Sequence, residues 1–160
     1  IYEKLTGLEF LYFIGGLYEM DRQTIDDLSA EYFKLFELEQ MADTLVESYS
    51  HGMRQKLVMA AAFLHSPRII VVDEPMVGLD PKSARIIKNL LREKCRDEGL
   101  CVFLSTHTLD VAEEICDRIG IIQNGRLIAE GSMSDLRKAA TAEGDSRLED
   151  VFLKLTEEQE

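Results

Sequence analysis

The chain has 160 residues, 46% apolar and 30% charged, a composition that supports one ordinary folded domain and excludes bulk disorder. Acidic side chains outnumber basic ones 30 to 18, and the formal charge of −12 argues against nucleic acid or an anionic membrane surface as partner. The excess is uneven, because residues 1–50 hold eleven acids against three basic residues (Lys4, Arg22, Lys34) and so supply −8 of the total.

The first third reads as helix. Thr6 and Glu9 have capping-box spacing, with Phe10, Phe13, Ile14 and Leu17 following at helical intervals. A second amphipathic segment covers about 25–38, with Leu28, Tyr32, Leu35 and Phe36 on its apolar side. A third helix is expected after Ser50, and its eight-residue apolar stretch Leu57–Leu64 implies burial. That stretch is also the longest apolar run, well short of the ~20 residues a membrane-spanning helix needs. The aromatics Tyr2, Phe10, Tyr12, Phe13 and Tyr18 are expected mainly in the core.

From Pro67 the pattern changes. Ile69-Ile70-Val71-Val72 reads as a strand covered on both faces. Asp80-Pro81 is a helix start, and that helix should run to Glu98 with Gly99 ending it. Cys101–Leu104 reads as a second buried strand and Leu109–Cys116 as a further helix. Asn124-Gly125 between Ile119–Gln123 and Arg126–Ala129 is a hairpin signal. Helices are expected near Ser132 and at Ser146, where Glu149 completes a second capping box, and Glu157–Glu160 reads as a solvated end. Strands alternating with helices imply a mainly parallel sheet with covered faces. Cys95, Cys101 and Cys116 form no C-x-x-C pair, the pattern of reduced thiols in a cytosolic protein. No secretory signal pattern opens the chain, and its start at Ile1-Tyr2 without Met is that expected of a fragment.

Three segments carry chemistry. After Ile69–Val72, Asp73 and Glu74 place two successive carboxylates at a strand's C-terminal end, where open α/β sheets bind ligands; one can hold Mg²⁺ while the other reaches an attacking water. In Tyr49-Ser50-His51-Gly52-Met53-Arg54-Gln55-Lys56, a Ser cap and an early glycine open a helix whose positive end suits an anion. Gly52 costs about 1 kcal/mol relative to Ala in a helix, so a close approach is expected there. Ser105-Thr106-His107 ends the second strand, where His107 can donate to a phosphate oxygen. His51, His65 and His107 have no metal-ligand spacing.

In this order the segments resemble the ATP-binding cassette (ABC) transporter ATPases. Tyr49–Gln55 is similar to the signature loop L-S-G-G-Q, Ile69–Glu74 to the Walker B strand, Gly78-Leu79-Asp80 to the D-loop and His107 to the switch histidine. The signature departs from the family pattern at Tyr49, His51 and Met53. Leu148–Thr156 and the Ser50-His51-Gly52-Met53 variant resemble the exporter subgroup with separate membrane subunits.

The resemblance implies an α/β fold, the second half of a P-loop NTPase (RecA-like) core with the ABC helical subdomain. Residues 1–66 would form that subdomain, 67–131 the core portion and 132–160 a helical tail. It also implies ATP and Mg²⁺ as cofactors, Asp73 on the metal, and Glu74 and His107 as catalytic residues. Ser50, His51 and Gly52 would face the γ-phosphate held by a second ATPase subunit, and Asp80 would communicate across that interface. A transmembrane permease subunit is the other implied partner, placing the protein at the inner face of the membrane, with the acidic first third facing it.

No G-x-x-x-x-G-K-[ST] phosphate loop occurs. Gly120 and Gly125 have its spacing, but Arg126-Leu127 follows, and the hairpin explains Gly125 better. The missing loop would lie upstream, so the parent protein is expected to hydrolyse ATP and this chain alone to be inactive. The alternatives are a non-catalytic interaction protein offering its signature loop to another subunit, and a non-transport ABC ATPase.

Overall fold

The computed structural model describes residues 1–141 and 146–157, in two compact units, Ile1–Ser105 and Thr106–Glu160. The expected solvated end, Glu157–Glu160, lies outside the described residues from 158 onward.

The first unit opens with α1 (Gly7–Leu17), α2 (Arg22–Leu35) and, after short 3₁₀ turns at 39–41 and 46–48, α3 (His51–Leu64). The Thr6–Glu9 capping box forms as read, and Asp21 caps α2. Leu11, Tyr32, Phe36, Leu57, Phe63 and Leu64 are fully buried and join the three helices. Gly15 lets α1 approach α2, since a methyl group there would lie 2.5 Å from Ile25 Cδ1. Phe10 is buried as expected, but Tyr2, Phe13, Leu17 and Tyr18 are exposed. Tyr2 and Phe13 meet edge to face, ring centres 4.9 Å apart. Helical spacing gives an apolar stripe without its exact rotation, and here the buried stripe runs through Gly7, Leu11 and Gly15 instead.

β1 (Ile69–Asp73) pairs in parallel with β2 (Cys101–Ser105), and α4 (Pro81–Glu98) makes the crossover. α4 starts and stops as the sequence reads: Asp80 is the cap, Pro81 the first helical residue, and Gly99 ends it at φ 68°. The sheet differs from expectation. Ile70 is buried, but Ile69, Val71 and Phe103 are 66%, 74% and 64% exposed, so one face is open. A continuous apolar run encodes two coverable faces; packing within the described residues covers one. Nor do the described residues form one mainly parallel sheet, because the other two strands among them make a separate antiparallel pair.

The second unit holds α5 (Leu109–Ile115), the hairpin β3 (Ile119–Gln123) and β4 (Arg126–Gly131), α6 (Met133–Ala139) and α7 (Leu148–Glu157). Asn124 and Gly125 have φ of 50° and 75°, the two positive values a type I′ turn requires. That turn confirms that Gly125 does not belong to a phosphate loop. Ser132 and Asp135 form a capping box on α6.

The predicted Ser146–Glu149 box is replaced by a different arrangement. α7 begins one residue later than read, Arg147 N–H donates to Asp150 at 3.2 Å, and the Leu148 amide is taken by Glu113 of α5 at 3.0 Å. Arg137 braces the same corner, donating to the Ser146 carbonyl at 2.7 Å and to Glu113 at 3.4 Å. A carboxylate from another helix thus serves the positive end of α7. Glu113→Ala should cost about 1–2 kcal/mol in denaturant unfolding and speed exchange of the Leu148 amide. An unchanged exchange rate would contradict this capping role.

Candidate functional site

The site is built where β1 ends. Asp73 is exposed on the open face of the sheet, in register with Ser105, whose hydroxyl donates to the Asp73 carboxylate. Glu74 follows in the left-handed region at φ 48°, uncommon for a residue with a side chain. Its N–H donates to the Ser105 carbonyl at 2.9 Å, extending the β1–β2 ladder one residue beyond the strand. Its carbonyl accepts from the Val77 N–H at 3.2 Å and starts the turn that leads to Asp80. The ladder therefore fixes the backbone at both carboxylates before the chain reverses.

Asp80 accepts from the Lys82 and Ser83 amides, both at 3.0 Å, and from the Ser83 hydroxyl. The Ser83 hydroxyl is the main reason its carboxyl titrates below the ordinary range. Its carboxylate is engaged as the cap of α4.

The start of α3 is held from several directions. Ser50 Oγ accepts from the Met53 amide at 3.3 Å. Arg54 donates to the Tyr49 carbonyl at 3.2 Å, the Glu47 carbonyl at 2.9 Å and the Glu3 carboxylate at 2.7 Å, fixing the segment that enters the helix. Tyr49 is buried and donates to the Met41 carbonyl at 2.6 Å; burial pushes its hydroxyl up to about 12. Fourteen residues of helix then present their positive end at Ser50, His51 and Gly52.

This helix start packs on the turn after Glu74. Gln55 Nε2 donates to the Pro75 carbonyl at 3.4 Å. A methyl group on Gly52 would lie 3.5 Å from the Gly78 carbonyl and 3.6 Å from Leu79 Cδ2, ordinary contact distances. The closest approach is instead at Gly78, with φ 77°, where a methyl group would stand 2.5 Å from His51 Cδ2 and 2.9 Å from Nε2. The expected close approach at Gly52 is thus not made within this unit.

Ser50, His51, Gly52, Asp73, Glu74 and Asp80 all belong to the first unit, joined through these contacts. His107 is exposed and belongs to the second unit, two residues beyond Ser105 and just before α5. Sequence reasoning assigned no separate role to Ser105, Gln55 or Arg54. For Ser105 the signal was its place at the end of a strand parallel to β1; the other two gave none beyond adjacency to Ser50. Among the described residues no cluster of three or more His, Cys, Asp or Glu could hold a metal, and no helix is long and apolar enough to cross a membrane. A hydrated Mg²⁺ bound by one carboxylate and phosphate oxygens needs no such cluster.

Comparison with known proteins shows what the chain as a whole is similar to. The ABC transporter family profile matches residues 3–77. The chain is 37% identical to the daunorubicin/doxorubicin resistance ATP-binding protein DrrA of Streptomyces peucetius, over 86% of this chain and 41% of that protein. A solved ATP binding subunit of an ABC transporter superposes with a TM-score of 0.91 at 31% identity, covering 98% of this chain and 64% of that one. A dimeric ATP-binding cassette, MJ0796, in a post-hydrolysis state bound to ADP and Pi, superposes at 0.75 with 28% identity, covering 83% and 59%. The chain thus spans less than two thirds of the length of these relatives.

The burial of Tyr49 gives a local test. A methyl group on Gly7 would stand 2.2 Å from the Tyr49 hydroxyl oxygen, and its next contacts are at 3.2 Å. Tyr49→Phe should cost about 1 kcal/mol in urea unfolding through the lost hydrogen bond. Gly7→Ala should cost about 1–3 kcal/mol alone and clearly less in the Tyr49→Phe background. Additive losses would contradict the contact.

Proposed function

Because the chain belongs to the ABC transporter ATP-binding family, we propose that it is part of a nucleotide-binding subunit coupling ATP hydrolysis at a head-to-tail dimer interface to export across a membrane. The carrying observation is the pair Asp73–Glu74 at the end of β1, fixed by Ser105 and followed by a turn that packs against the start of α3.

Mg²⁺ would be held by Asp73, a hard oxygen donor already oriented by the Ser105 hydroxyl, and when bound it neutralises charge on the phosphate oxygens. Glu74 would orient or deprotonate the attacking water, its backbone fixed by the bond to Ser105. His107 would donate to the γ-phosphate. Ser50, His51 and Gly52 offer the positive end of α3 to the γ-phosphate of nucleotide on a second subunit, and Asp80 acts at the same interface. MJ0796, a dimer with ADP and Pi bound, supports the dimer and the nucleotide in this reading.

The name of DrrA, a drug-resistance protein, supports export. The exposed aromatics Tyr2, Phe13 and Tyr18, on the acidic helical lobe, support docking of a membrane permease subunit there. Cytosolic loops of such subunits are rich in Lys and Arg, which complement a charge of −8. The protein would then work on the cytoplasmic face of the membrane. We further assign 1–66 to the helical subdomain, 67–131 to the core portion and 132–160 to the tail.

In the complete subunit, Glu74→Gln should lower MgATP turnover by roughly 10²- to 10⁴-fold while nucleotide still binds. Turnover within about threefold of wild type would overturn the assignment. The 160-residue chain alone should show no Mg-ATPase activity, as measured by phosphate release; release abolished by Glu74→Gln would contradict that.

A further inference from the structure

The signature-like loop has a histidine where its family pattern has glycine, and the structure gives that side chain a partner. The His51 ring occupies the space that a side chain on residue 78 would need. Gly78 is left-handed at φ 77°, so two independent constraints exclude a side chain there: backbone conformation and the imidazole. Beside this contact, Gln55 donates to the carbonyl of Pro75, the residue after Glu74, and a methyl group on Gly52 would just reach the Gly78 carbonyl and Leu79. Two side chains of the first helical turn and a half, His51 and Gln55, thus bear on residues 75–79, between Glu74 and Asp80.

We propose that His51 is a positioning residue, whose imidazole, seated on Gly78, fixes the 74–80 turn against the start of α3. The proposal rests on the functional reading above. His51 acts here through its shape, as a spacer within its own subunit, and the anion end of α3 and the carboxylate of Glu74 move as one piece. Phosphate arriving at Ser50 is then felt at Glu74 through backbone packing. With glycine at 51 the turn would lose this contact and keep the long hydrogen bond from Gln55.

The test is a double-mutant cycle in the complete subunit, reading kcat and KM for MgATP. His51→Gly should lower kcat by about fivefold or more with KM changed less than about twofold. His51→Phe, which keeps a ring but no nitrogen, should recover at least about half of the lost kcat. Gly78→Ala should also lower kcat, and combining it with His51→Gly should cost clearly less than the product of the two single effects. Far-UV melting of each variant shows whether it remains folded; the comparison of Phe with Gly at position 51 stands even if Gly78→Ala fails to fold.

If His51→Phe is as impaired as His51→Gly with KM raised in both, the nitrogen contacts phosphate and the proposal is overturned. Unchanged kcat in His51→Gly, or multiplicative effects in a folded double variant, would also overturn it. Loss of turnover in Glu74→Gln together with any of these results rejects the spacer alone; retained turnover in Glu74→Gln rejects the functional reading itself.

Discussion

At residue 78 the backbone is left-handed and the space beside it is filled by His51. That contact, with Gln55 on Pro75, joins the start of α3 to the turn after β1. It lies between the two ends of the first unit to which we assign the nucleotide chemistry. One is the positive end of a fourteen-residue helix, and the other is a strand end carrying two carboxylates. Because neither is carried on a free loop, a shift at one is expected to displace the other.

The support behind this junction is ordinary packing and hydrogen bonding. Tyr49 and Arg54 secure the entry to α3, using one buried hydroxyl and a guanidinium with three acceptors. The body of the helix is held by Leu57, Phe63 and Leu64. On the strand side, Glu74 keeps a left-handed backbone because its N–H and carbonyl are both engaged. Such conformations persist where neighbouring structure over-determines them, and they concentrate at functional sites.

Much of this was legible in the sequence. The Thr6–Glu9 box, the Ser50 cap, Asp80-Pro81 with Gly99, and Asn124-Gly125 are local signals, decided within a few residues, and each gives the element it predicts. What was not legible is non-local. Whether Ile69 and Val71 are covered depends on segments distant in the chain, so the apolar run overstated the burial of β1. The cap of α7 comes from Glu113, thirty-five residues away, and no local spacing could reveal it. The chain order Ser50, Asp73, Glu74, His107 was readable as a motif. The Ser105 hydroxyl on Asp73 required the strand register, and the His51 contact with Gly78 required the packing of α3 on the turn.

The junction can be observed directly by proton NMR of the folded chain. The α-proton of Gly78 nearest His51 should show a nuclear Overhauser effect to the imidazole Hδ2 and a ring-current shift that disappears in His51→Gly. No such cross-peak, with a Gly78 shift identical in both proteins, would contradict the joining of α3 to the 74–80 turn through His51.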